Sequence, residues 1–186
     1  MIVMQYVALA CRCALAAVFL VAVLSKVRGR DAFHAFRASV LDMVALPAGD
    51  ATLLSAAVVL SEVSIIVLLA VQWTAPVGFV LAGAVLLAFC AGIARAVRSG
   101  ARTPCRCFGA TATPLSGRHL VRNAVLLTVT AAGGTAQLLT GPGEAHPAGV
   151  AIGMACAGVL ALAIVFFDDL ADLFAGPPPT SGRAGL

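Results

Sequence analysis

Five apolar runs, each about the 20 residues that a helix needs to cross a bilayer, leave this chain almost nowhere to fold except in lipid. They cover about 4–25, 51–73, 76–95, 120–140 and 148–167 of the 186 residues. Backbone polar groups in hydrocarbon must find partners within the protein, so runs of this kind cross as helices rather than as open strands. Charged residues make up 11% of the chain, against roughly 25% in a soluble domain. The polar segments between the runs are too short to build a second, water-soluble core. The expectation is therefore all-α: one integral membrane helical bundle over residues 1–175, followed by a disordered tail at 176–186 that carries three consecutive prolines.

The first run lacks a basic region in front of it and is interrupted by Arg12, so it reads as a retained helix rather than a cleaved signal. A net charge of +4 can indicate nucleic acid, but here the basic residues gather beside helix ends, the pattern of membrane topology. Lys26, Arg28, Arg30 and Arg37 lie in 26–50, and Arg95, Arg98, Arg102, Arg106 and Arg118 in 95–119. The connections near 74–75 and 141–147 have neither Lys nor Arg. Positive loops stay in the cytoplasm, which puts the N-terminus outside and the C-terminus inside a cell membrane. Tyr6 and Trp73 then share the outer interface, where amphipathic aromatics concentrate.

Between the first two runs, Phe33, Phe36, Val40 and Val44 recur at helical spacing, while Asp31, Arg37 and Asp42 take other faces. This predicts a short amphipathic helix at the interface, ended by Pro47. The second and third runs are joined by almost nothing, which makes them an antiparallel hairpin. The connection 96–119 is the longest polar stretch inside the bundle.

That connection holds Pro104-Cys105-Arg106-Cys107-Phe108-Gly109. Thiolates exchange disulfides, bind soft metals or act as nucleophiles. A disulfide across one intervening residue closes a small ring, and departure from relaxed geometry makes such a bond easier to reduce. Arg102 and Arg106 favour thiolate over thiol. Redox exchange at Cys105 and Cys107 is the leading reading. No metal is assigned, because a structural zinc site takes four ligands, and only Cys90 and His119 could complete the set. Cys90 reads either as a resolving thiol or as a small apolar filler. Cys11, Cys13 and Cys156 read as fillers. Cys11 and Cys13 point about 200° apart on a helix and cannot pair there.

Glu62 lies near the middle of the second run, where a carboxylate costs a few kcal/mol to insert. It should face the bundle interior, with Lys26, Arg122 or Arg12 as its partner. It reads either as a proton relay or as a polar clasp between helices. Arg122 and Asn123 open the fourth run with hydrogen-bond donors. Arg122 by itself reads as a side chain reaching to the interface.

Ser25-Lys26 after the first span, Glu62 in the second, Cys105-x-Cys107-Phe108-Gly109 after the third and Arg122-Asn123 opening the next together resemble the methylamine utilisation protein MauE family. That family is related to the broader DoxX-like membrane proteins. The resemblance covers roughly residues 5–140 and implies a four-helix DoxX-like core with a fifth transmembrane helix added. It also implies redox-linked maturation of exported proteins. The family is associated with processing, transport or maturation of the disulfide-rich small (beta) subunit of methylamine dehydrogenase. Carried over, Cys105 and Cys107 would be the redox pair, with Lys26, Glu62, Arg122 and Asn123 as supporting polar positions. Arg106 stands where the family's loop usually has glycine.

The expectation that follows is a membrane thiol–disulfide redox or maturation factor, with enzymatic turnover left open. Its partners would be an exported client, a thioredoxin-like carrier and the lipid bilayer, with no nucleic acid. No bound cofactor is assigned, and a membrane quinone is a candidate electron acceptor. Charge bias places the dithiol inside, where thiols are held reduced. Either the loop tucks into the bilayer, or the pair passes cytosolic electrons outward, or the bundle inserts the other way round. The competing functions are a non-enzymatic assembly or translocation partner and a small-molecule transporter.

Overall fold

The computed structural model describes residues 2–44, 48–98, 104–105, 113–114, 117–140 and 146–167. The expected tail at 176–186 lies outside them. The described elements run α1 (Ile2–Val27), α2 (Arg30–Val44), α3 (Ala48–Ala70), α4 (Ala75–Arg98), β1 (Pro104–Cys105), β2 (Thr113–Pro114), α5 (Gly117–Thr140) and α6 (Pro147–Val165). The molecule is an all-α helical bundle. Its only strands among the described residues are the two-residue pair β1 and β2, antiparallel with Cys105 opposite Thr113.

Four helices close a ring: α1 packs on α3, α3 on α4, α4 on α5 and α5 back on α1. The sixth helix lies outside the ring, against α1. Leu15, Val18 and Phe19 of α1 meet Ile65 and Leu69 of α3, Phe79 and Leu86 of α4, and Leu126 of α5 in the core. The short amphipathic helix is present as α2, packed on α1, α3 and α4. Phe36 and Val40, two of the residues placed on its apolar stripe, are buried.

Helices α1, α3, α4 and α6 are long and apolar enough to cross a membrane; α5 is not among them. This helix is the fourth of the apolar runs, 120–140, and it is less apolar than the other four. Its 24 residues reach about 36 Å at 1.5 Å per residue, so its length suffices. What lowers its hydropathy is a stripe of polar and small residues turned into the ring. His119, Arg122, Asn123, Thr130 and Gln137 are all buried, whereas Val121, Leu138 and Leu139 are exposed. Lipid tails are as apolar as leucine, so helices associate in a membrane through close packing and polar contacts. A helix that is polar inward and apolar outward obeys that rule.

Close packing is tightest at Gly133. A Cβ there would sit 2.5 Å from Cys11 Cβ and 2.6 Å from Phe79 Cε1, so α1 and α4 both press onto α5 where it has no side chain. Cys11 therefore acts as a packing residue. Cys156 does not: it is exposed on α6, against the expectation of a buried filler, because α6 buries only the face that meets α1. At the far end of α1, the Tyr6 hydroxyl accepts a hydrogen bond from the His146 backbone N–H (3.2 Å). The Tyr6 ring also lies where a Gly149 Cβ would be, which fixes the start of α6.

Glycine substitutions separate the ring from its lipid-facing surface. Gly133→Leu should lower stability by about 1–3 kcal/mol through overpacking, read as a lower thermal midpoint in detergent. Gly158→Leu, on α6 with open space around it, should leave the midpoint unchanged.

Candidate functional site

The site begins at the end of α1. Lys26 is the penultimate residue of that helix, and α3 passes it with Glu62 turned inward. Lys26 Nζ donates to Glu62 Oε1 (2.7 Å) and Oε2 (3.0 Å), and lies 3.3 Å from the Ala22 carbonyl of its own helix. Both side chains are about as buried as side chains can be, at 1% and 2% exposure. The ammonium also stands 5.1 Å from the centre of the Phe36 ring, a cation–π distance, so α2 closes the pair from one side. Of the three partners the sequence allowed for Glu62, the ion pair uses Lys26.

Arg12 does different work. Its Nε donates to the Leu69 carbonyl (2.9 Å) and its Nη2 to the Ala70 carbonyl (3.1 Å). The last carbonyls of a helix have no partner within it, and a cation is favoured at that end by the helix dipole. Arg12 thus caps α3. Arg122 was read as reaching out to the interface, and the structure overturns that: it is 3% exposed, on the inward stripe of α5.

Asn123 completes the arrangement. With Lys26, Glu62, Val18, Phe19, Leu86, Phe89 and Leu126 it lines a small cavity of about 20 Å³, enough for a single water molecule. The sequence placed Asn123 beside the thiol loop but not at the ion pair. Its position one turn below His119, on a helix whose polar residues recur every three or four positions, was the available signal. Cys90 is half-buried in α4. Of the proposed redox pair, Cys105 is described only in its backbone, as part of β1, and Cys107 lies outside the described residues.

The alternating passes bring the C-terminal ends of α1 and α4 and the N-terminal end of α5 to one end of the ring. Phe79 of α4 faces Gly133 of α5, and Gly83 faces Thr130, an antiparallel register that fixes the direction of both helices. The segment with Cys105 and Cys107 joins these two helices at that end.

The sequence profile of the methylamine utilisation protein MauE family matches residues 4–136. The chain belongs to this family. The match takes in the whole of α2, α3 and α4 and nearly all of α1 and α5, which is the four-helix ring with its interfacial helix. The outer helix α6 lies beyond it. Lys26, Glu62, Cys105, Cys107, Arg122 and Asn123 all fall inside the matched range. The MauE-family ring is thus a membrane helical bundle. No curated protein and no solved structure matches the chain.

Breaking a buried ion pair on one side leaves a bare charge. Lys26→Met or Glu62→Leu alone should each cost about 3–5 kcal/mol, whereas the double variant should regain most of that loss. Thermal midpoints of the purified variants would check this. Single losses that simply add in the double variant would show that the pair adds nothing through its mutual contact.

Proposed function

We propose that this protein is a membrane thiol–disulfide redox factor that serves maturation of an exported protein, with methylamine dehydrogenase's small subunit as the first client to test. The observation that carries this reading is the Cys105-x-Cys107 pair, which the sequence carries between α4 and α5. Family membership supports the setting in methylamine utilisation. The reaction is exchange with the disulfide of a thioredoxin-like carrier or of the client itself. One loop thiolate attacks a sulfur of that disulfide and forms a mixed disulfide, releasing the first partner thiolate. The neighbouring thiolate then attacks the mixed disulfide and releases the second. The Cys105–Cys107 pair ends oxidised and the carrier ends as a dithiol, so two electrons have moved.

The polar residues below the loop have a supporting role in this reading. Lys26 and Glu62 form a neutral, fixed unit, and Arg122 and Asn123 are buried in the second turn of α5, with Asn123 lining the cavity beside that pair. The charge bias places the loop on the cytoplasmic side, with the N-terminus outside.

Cys105→Ser and Cys107→Ser should each reduce client maturation to background while membrane insertion stays normal. A single variant with the resolving cysteine removed should trap a mixed disulfide with the carrier, visible on non-reducing gels. Full maturation in the double variant would overturn the proposal and favour a cysteine-independent assembly partner. A membrane-impermeant maleimide should label Cys105 only after the cells are opened. Labelling in intact cells would reverse the assigned orientation.

A further inference from the structure

Charge is divided unevenly between the two ends of the ring. The turn after α1, the helix α2, the last turn of α4 and the first turn of α5 carry Arg28, Arg30, Arg37, Arg95, Arg98 and Arg118. Against these stand Asp31 and Asp42 on α2 and Asp50 in the first turn of α3, while Lys26 and Glu62 neutralise each other. At the opposite end the one arginine among the described residues is Arg12, bound to the carbonyls that close α3. Arg28, Arg30, Arg95 and Arg98 are exposed, and no carboxylate among the described residues pairs with any of them.

Within this basic end, Arg30 and His34 lie one turn apart on α2. With Val27, Gly29 and Phe33 they line an open hollow of about 420 Å³ where α1 passes into α2. Gly29 keeps it open, since a Cβ there would meet nothing within 4 Å. Val27 is also the last member of an exposed apolar stripe on α1, with Leu20 and Leu24, spaced four and three residues apart and so on one helix face. Val27 ends the membrane-crossing length of α1, which puts the hollow where hydrocarbon gives way to head groups. Nitrogen donors at the end of an apolar track are complementary to an anionic amphiphile. A free phosphate would use the donors and leave the track bare. A zwitterionic lipid would bring a second cation into a region that already has an excess of them. We infer that this hollow binds an anionic phospholipid, its phosphate on Arg30 and His34 and one acyl chain along Val27, Leu24 and Leu20. The remaining arginines of this end raise the local concentration of such lipid without touching it in the hollow. This inference stands on α1 and α2, independently of the thiol chemistry.

Photolabelling tests it. The full-length protein, in phosphatidylcholine nanodiscs, is irradiated with a trace of phosphatidylglycerol that carries a diazirine on one acyl chain. Label should concentrate on residues 20–34. Excess phosphatidylglycerol should remove it, whereas added phosphatidylcholine or inorganic phosphate should not. Arg30→Gln should lower labelling about fivefold, the usual worth of one basic residue beside anionic lipid. Adding His34→Ala should lower it further, and Arg30→Lys should retain most of it. Arg95→Gln with Arg98→Gln removes two charges from the same end but not from the hollow, and should cost about twofold at most. Should Arg30→Gln not fold, as judged by its melting, Gly29→Phe, which fills the hollow, takes its place with the same expected loss. Label spread evenly over the lipid-facing helices, an equal loss from the α4 pair, or displacement by inorganic phosphate alone would each overturn the proposal.

Discussion

A charge taken into a bilayer must arrive with its counter-charge, and in this protein that requirement ties the ring together. Glu62 cannot face lipid and Lys26 cannot be left bare once it is buried, so α1 and α3 are held at the register in which the two meet. Isolated ion pairs on a protein surface contribute little, because water competes for both partners. Here the competing solvent is hydrocarbon, and the alternative to pairing is an uncompensated charge. Arg12 and the α3 carbonyls of Leu69 and Ala70 make a second polar contact between the same two helices. Two such contacts at different depths prevent α1 and α3 from sliding past each other.

The same solvent explains the division of labour between α5 and α6. In water, α5 would be an unpromising core helix, with Arg122, Asn123, Thr130 and Gln137 on its buried side. In lipid the exposed side must be apolar, and the buried side is free to be polar where partners exist. Helix α6 shows the opposite case. It packs mainly on α1, and most of its surface is exposed, so it is apolar all round. Small residues mark its contact face: Gly153, Ala157 and Ala161 are buried while Ile152, Val159 and Leu162 are exposed. Small residues at such spacing let helix backbones approach closely.

How far the sequence could be read follows from these rules. Spans were legible because length and hydropathy answer directly to bilayer thickness. Helix α2 was legible because its apolar positions recur at helical spacing through Phe33, Phe36 and Val40. The partner of Glu62 was not decidable, since Lys26 and Arg12 are long side chains at different depths on α1, Arg122 is a third on α5, and no periodicity says which of them reaches Glu62. Arg122 was misplaced for a related reason: an arginine near a helix end can reach the interface or turn inward, and only packing decides. Cys11 gave no sign of its place against Gly133, because a close helix crossing depends on two residues in separate spans. The thiol pair stood out through residue type and spacing alone, and its chemistry rests on that ground and on the family.

On the proposed thiol reading, a buried ion pair between the helices that lead to the Cys105 segment has a physical use. Exchange at a short dithiol loop alternates between an open and a closed form, and the strain of closing is transmitted to the helices at either side. If those helices yielded, the closed form would relax and lose the reactivity that strain supplies. Here the second turn of α5 carries Asn123 into the cavity bounded by Lys26 and Glu62. A rigid base of this kind would confine the change to the loop, so each opening or closing would alter sulfur chemistry rather than helix packing. Replacing the polar cluster with well-packed apolar residues would on this argument preserve the bundle but soften the base. On the proposed reading, the thiol pair would then close with less strain and give up its electrons more readily, so a lower reduction potential, not a change in fold stability, is where the change would be felt.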